Sequence, residues 1–444
     1  AQGLTVQREL PALYNGRIPE WNGDEYDLRL DISDARDILS FLKPGLYIAQ
    51  GTKVRLNIAR DGNVTASVKS PRIALDKNFL KDVDLNLDNR DSSLNASLAC
   101  SSVSVSGINL LNDNLMLYAK GDSFGVGLTY DNSTEPANKG EFYLTGKLGR
   151  TGDGKLTVDA TTLPSYIWYD DAAWSVSESA INMIGKDVRI DNLTASCANQ
   201  SVNVNGGYSY TKKDTLSVNL VRFDLGLLNK FLGDNFGIAG LATGNAIIYS
   251  PWESNAGLMM RLVSDSTEVA GRRMGTFRIA GSLGNGKMHV IARNDIDGKR
   301  TMNITGDYLL KNHRIDATAD LDRFDAGYIA PVMESVFSEM GGSISGRVKA
   351  SGTLDSLSLS SEGTRFDDVL LRVGFTNVPY YVSGPFSVTD QGLFFDEVTI
   401  KDRFDGTGTI AGGLLYDHLK NFRMDTRIKM RGIEAIDMTE SDNQ

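Results

Sequence analysis

Met302-Asn303-Ile304-Thr305-Gly306, with Ile315-Asp316-Ala317-Thr318-Ala319 behind it, alternates apolar and polar residues on both sides of a polar interval. Alternation at period two gives a strand one apolar and one polar face. The glycine supplies the backbone freedom for the turn expected between the two runs. The pair therefore reads as strand, turn, strand, with its register set by which face is apolar.

The same element recurs along the 444 residues. Its other copies are Val103-Ser-Val105-Ser-Gly107, Val202-Asn-Val204-Asn-Gly206 and a weaker Gly408-Thr-Ile410-Ala-Gly412. From Gly107 through Gly206 and Gly306 to Gly412 the intervals are 99, 100 and 106 positions. Second strands follow as Leu216-Ser-Val218-Asn-Leu220 and Phe422-Arg-Met424-Asp-Thr426-Arg-Ile428. A spacing this regular is the mark of a repeat architecture.

A second recurring unit couples a short helix to a glycine-rich strand. Phe223-Asp-Leu-Gly-Leu-Leu and Phe324-Asp-Ala-Gly-Tyr-Ile each precede such a strand, and Ile32-Ser-Asp-Ala-Arg-Asp-Ile is an earlier copy. In each, Asp or Ser is placed to cap a helix whose apolar residues form one stripe. Asp61-Gly62, Asp153-Gly154 and Gly284-Asn285-Gly286 mark hairpins. These signals divide the chain into modules 1–120, 121–222, 223–323 and 324–444, with short helices near 32–42, 223–232 and 325–338. No Pro/Gly/Ser linker separates them, so one continuous sheet is expected.

Composition agrees. The 45 Gly against 10 Pro suit short strands and tight turns. The fold class expected is mainly β: an elongated, repetitive, mostly antiparallel sheet curved into an open U-shaped groove, with a few short helices. Tandem immunoglobulin-like sandwiches fit less well, because their Cys and Trp positions are absent. A parallel β-helix has much shorter repeats and no two-residue hairpins.

A net charge of -10 spread along the chain argues against nucleic acid, whose binding needs clustered Lys and Arg. Cys100 and Cys197 lack Cys-x-x-Cys spacing, and two buried free thiols are favoured over a bridge. No run approaches the ~18 apolar residues of a membrane span, and Ala1 to Glu9 lacks a signal-peptide layout. The chain is expected to be a segment of a larger secreted or anchored protein.

No catalytic constellation is visible, and no enzymatic activity or cofactor is expected. His289, His313 and His418 are scattered and read as solvent-facing strand residues rather than metal ligands. No Gly-x-Ser-x-Gly elbow or phosphate-binding loop occurs. Asp170-Asp171 and Asp367-Asp368 read as turn acids, because neighbours on a strand face opposite ways and make no acid/base dyad. The cluster Tyr166-Ile-Trp168-Tyr169 with Trp174 reads either as a core cluster or as a partner or membrane-interface contact.

Three segments resemble the TamB family, the AsmA-like proteins of the translocation and assembly module, in its Bacteroides-type form. They are Met340-Gly-Gly-Ser-Ile-Ser-Gly-Arg-Val-Lys-Ala-Ser-Gly-Thr-Leu, Phe395-Asp-Glu-Val-Thr-Ile-Lys-Asp-Arg-Phe-Asp-Gly-Thr-Gly-Thr-Ile-Ala-Gly-Gly, and the terminal Thr439-Glu-Ser-Asp-Asn. The last is similar to a Thr-Thr-Glu-Lys-Asp-Asn signature, with Met438 for one Thr and Ser441 for the Lys. The likeness covers Phe324 to Gln444 and fades toward the N-terminus.

The resemblance implies a β-taco, a U-shaped sheet with an apolar concave face, in a protein anchored in the inner membrane and reaching into the periplasm of a Gram-negative bacterium. It implies phospholipid as the ligand, carried between the membranes. Its alternative is a scaffold for inserting outer-membrane β-barrels with a TamA-type partner. A carbohydrate-binding surface protein is a third class to separate from these. Candidate groove residues are Val103, Val105, Val202, Val204, Leu216, Val218, Leu220, Met302, Ile304, Ile315 and Ile400. Each is equally readable as ordinary core packing.

Overall fold

The computed structural model describes residues 7–14, 23–36, 39, 41, 43–105, 108–209, 214–228, 238–249, 257–269, 271–333, 336–353, 356–374, 376–417 and 420–437. Among them are 29 strands belonging to one antiparallel hydrogen-bonded sheet. The expectation of a mainly β, antiparallel sheet with few helices holds. The chain divides into two compact units, Ala1–Val218 and Asn219–Gln444. Among the described residues each unit is built of successive hairpins.

In the first unit, strands follow one another as antiparallel neighbours from Thr52–Ile58 through Val64–Leu75, Asn78–Asp88, Leu94–Val105, Ile108–Lys120, Ser123–Asp131 and Asn138–Arg150 to Leu156–Tyr169. The edge strand Tyr26–Ile32 pairs with Thr52–Ile58. The second unit repeats the meander from Leu241–Tyr249 to Lys420–Arg431. The expected hairpin at Gly284-Asn285-Gly286 is present. Asn285 and Gly286 both take positive φ, +52° and +71°, the geometry that matches strand twist.

The repeated glycines do not sit in turns. Gly206, Gly306 and Gly412 lie inside Gln200–Tyr208, Lys299–Leu309 and Thr407–Asp417, and Gly107 lies outside the described residues. Gly206 and Gly412 have φ of +120° and +126° and oppose β-bulges, as do Gly346 at +127° and Gly384 at +139°. Gly306 is ordinary extended strand, its would-be Cβ 3.0 Å from Ala317 Cβ. One sequence signature thus covers two structural roles.

The helix of the second Phe-Asp unit also ends earlier than expected. Phe324-Asp325 ends the strand Arg314–Asp325, and only Ala326–Ile329 (3-10) and Ala330–Met333 (α) are helical before the strand Phe337–Met340. Asp325 does cap the turn, accepting from the Gly327 N–H at 2.7 Å. Phe223-Asp224 likewise ends a strand, followed by the 3-10 turn Leu225–Leu228, and positions 229–237 lie outside the described residues. Near 32–42, residues 36, 39 and 41 are helical and 37, 38, 40 and 42 lie outside the described residues.

Candidate functional site: the apolar face of the sheet

Cross-strand register decides which side chains share a face. In the first unit Leu28, Leu56, Ala66, Leu87, Ala96, Leu117, Val126 and Leu144 are successive register partners, one apolar row across eight strands. In the second unit Ile248, Leu258, Leu283, Met288, Tyr308 and Ile315 form a row, and Leu262, Ile279, Ala292, Ile304, Ala319 and Val348 a parallel one. Most of these side chains are half-buried. An amphipathic sheet ordinarily buries its apolar face under a second layer. Among the described residues, short segments cover only parts of it.

One such segment is Gln7–Tyr14. Its Leu10 packs on Leu94 and Ala119, with Leu87, Phe124 and Leu148 around them. Asp122 fastens it, donating its backbone N–H to Glu9 O and accepting from the Ala12 N–H, both at 2.8 Å, while Arg150 Nε donates to Ala12 O at 2.7 Å.

The other cover lies in the second unit. Ile329, Met333, Phe337 and Met340 stand over Ile344, Phe366, Tyr380, Val382, Phe395 and Ile400, enclosing a cavity of about 150 Å³ whose exposed lining is wholly apolar. Ile410, Leu414, Met424 and Ile428 continue that lining along the last two strands. Tyr380 turns its hydroxyl away, donating to Glu434 O at 3.0 Å. Beneath lies the main core cluster, in which Val369, Val378 and Val398 are fully buried and Phe366 stacks on Phe386 at 4.1 Å. Apolar cavities of this size stay dry and accept small apolar ligands.

The expected groove residues distribute unevenly. Ile400, 3% exposed, lines the cavity and belongs to its core. Met302 is buried with Met274 and Phe324, and Ile304 packs against that cluster. Val103 sits half-buried between its register partners Leu80 and Leu110, and Val105 is exposed at a strand end. Val202 and Val204 face Ala195 and Leu193. Leu216, Val218 and Leu220 share one face of a strand, half-buried, and Ile315 lies between Tyr308 and Gly352. Ile329 and Met333 fall within the helix expected near 325–338, whereas Leu10, on a segment too short to show helical periodicity, carries no signal in the sequence.

One polar group interrupts the apolar face of the first unit. Thr52, Ser70, Val83, Cys100 and Asp113 are all buried, the last two as register partners, and among the described residues the Asp113 carboxyl has only the backbone N–H groups of Val103 and Asp113 itself beside it, at poor hydrogen-bond geometry. Burial raises the Asp113 carboxyl above its ordinary value. Burial, reinforced by Asp113 and Asp82, pushes the Cys100 thiol up to about 11. A thiol so shifted is no nucleophile at neutral pH. Both cysteines are free, Cys100 buried and Cys197 half-buried.

No family model matches this chain, and neither a curated protein nor a solved structure matches it.

The remaining chemistry-bearing residues are dispersed over the sheet and its turns. His289 Nδ1 lies 2.7 Å from Asp307 Oδ1, its register partner, which also pairs with Lys287. His313 occupies a turn, 2.7 Å from the Tyr308 hydroxyl, and His418 lies outside the described residues. Asp170 and Asp171 take positive φ in a hairpin turn, and Asp368 does so in a bulge. Among the described residues no His/Cys/Asp/Glu group could hold a metal ion, and no helix is long and apolar enough to cross a membrane.

Proposed function

We propose that this chain is a periplasmic segment of a TamB-like envelope protein whose apolar sheet face carries phospholipid acyl chains between the inner and outer membranes. The observation that carries this reading is the wholly apolar cavity under Ile329 and Met333, set on a sheet whose apolar face only short segments cover among the described residues. Uncovered apolar surface on this scale marks a binding surface. Acyl chains fit it because they need no fixed polar partner. Each buried methylene contributes about 0.8 kcal/mol, and equivalent contacts repeat at every strand, so a chain is held along the face yet slides over it. A curved U-shaped groove, an inner-membrane anchor on the parent and a TamA-type partner belong to the same proposal and rest on the family resemblance.

The test is organic extraction of the natively purified chain followed by lipid mass spectrometry. Stoichiometric phospholipid is the expected result. A folded sample free of lipid, which also fails to quench a fluorescent fatty acid, refutes the reading.

The barrel-assembly alternative draws on a different observation. The edge strand Tyr26–Ile32 is exposed at all but its last residue, a surface to which a client strand could add. Asp27, Arg29 and Asp31 along it are the charges that ordinarily block such pairing, which leaves the lipid reading preferred.

A further inference from the structure

We propose that the first unit binds an extended neutral oligosaccharide on the sheet face opposite the apolar one. That face holds an open trough of about 1070 Å³. Register fixes its composition. Arg29, Arg55, Ser67, Asn86, Ser97, Met116, Gly127, Tyr143 and Leu163 are successive partners across nine strands. At 4.7–4.9 Å between strands, that is a path of roughly 38 Å. A path of this length perpendicular to the strands suits an extended polymer rather than a small metabolite.

The chemistry along the path is of two kinds. One end presents planar amides and hydroxyls, Asn57, Asn86, Asn95 and Ser97, which both donate and accept hydrogen bonds. The other presents aromatic rings, with Tyr118 46% exposed and Tyr143 beside it. Gly125, the register partner of Tyr118, leaves its side of the sheet open, and the Tyr143 ring lies over Gly127, 3.1 Å from where a Cβ would stand. Past Leu163 the same face continues with Tyr166, 42% exposed and 5.9 Å from the Trp168 ring, so the aromatic cluster is split between the two faces, with Trp174 buried on the other.

A pyranose has this same duality, C–H groups on its ring faces and hydroxyls around its rim. Aromatic rings with polar tips suit the first, amide side chains the second. Charge selects neutrality. Arg29 pairs with Asp27 at 3.0 Å, and Arg90 with Asp88, which leaves Arg55 the one lining guanidinium in no ion pair among the described residues, an isolated cation rather than a cluster. A polyanion needs unopposed clustered cations instead. Acyl chains are served by the other face, so this inference stands apart from the lipid reading.

The experiment is calorimetric titration of the full chain with cellohexaose, chitohexaose and maltohexaose, each against its trisaccharide. At least one hexasaccharide is expected to bind saturably and more tightly than its trisaccharide. Tyr118→Ala and Tyr166→Ala, both at exposed positions, are expected to weaken it about tenfold while leaving the thermal midpoint in place. Leu115→Ala, on the apolar face, is expected to leave it unchanged. Absence of saturable binding by all three sugars overturns the proposal. So does binding that Tyr118→Ala and Tyr166→Ala both leave intact, or a preference for heparin that vanishes with salt.

Discussion

The backbone N–H of Asp368, at φ +53° in mid-strand, donates to Ser383 Oγ at 3.0 Å, and Ser383 immediately precedes Gly384. The arrangement recurs. Asn192 donates to Asn205 at 3.1 Å, Arg222 to Thr243 at 3.0 Å and Arg323 to Ser345 at 3.1 Å, with a glycine next in sequence each time. Each donor is the left-handed residue of a bulge whose N–H has lost its ladder partner, and the side chain replaces that partner. At Glu397 the acceptor is missing, because Ala411 stands where it would be. Ser383→Ala is expected to cost about 1 kcal/mol, and Ala411→Ser to stabilise by a similar amount. Urea denaturation of the two variants checks both signs, and a destabilising Ala411→Ser contradicts the scheme.

Glycines that look alike in sequence should differ in tolerance. A Cβ on Gly346 would lie 2.5 Å from Thr364 Cα, and one on Gly412 2.3 Å from Asp425 O, both at positive φ. Strain and clash act together there, so Gly346→Ala and Gly412→Ala are expected to cost about 2–4 kcal/mol each. Gly306→Ala meets only a 3.0 Å side-chain contact at ordinary φ and is expected to cost under about 1.5 kcal/mol. Thermal melts of the three variants give the ranking directly.

Asp113 gives a pH dependence with a definite sign. Its folded carboxyl titrates above the ordinary 3.8, because burial disfavours the charge. Between 3.8 and that raised value the folded state binds more protons than the unfolded one. Stability from this group is therefore full below pH 3.8 and lost as pH rises through the folded value. Asp113→Asn removes the charge and is expected to raise the melting temperature by about 2–4 °C at pH 7, with no gain near pH 3.5. A gain equal at both pH values removes the charge as its cause.

The period-two pattern made the strands and their apolar face legible, since alternation reports face directly. What it hid were the bulges. Leu220-Val-Arg-Phe223, Leu321-Asp-Arg-Phe324, Phe366-Asp-Asp-Val369 and Phe395-Asp-Glu-Val398 each insert one residue, so two apolar side chains three apart stay on one face. At Phe223 and Phe324 that spacing reads as the first turn of a helix, although both residues end strands. The cover residue Leu10 was illegible for another reason. Its partners are remote in sequence, and only the folded sheet brings Leu10 onto Leu94.

Met424 offers the most direct separation of lipid carriage from stability. It is 41% exposed, lines the cavity and is the register partner of Leu414 on the apolar face. Arginine there leaves the core cluster intact while placing a guanidinium where acyl chains would lie, at a desolvation cost the ligand must bear. Met424→Arg is expected to shift stability by no more than about 0.5 kcal/mol and to reduce co-purified lipid several-fold. Met259, 54% exposed on the opposite face as the partner of Ile247 and Ser282, is the control, and Met259→Arg should leave lipid content unchanged. Equal lipid in both variants places any bound lipid away from this cavity, and equal loss in both marks a nonspecific effect of charge.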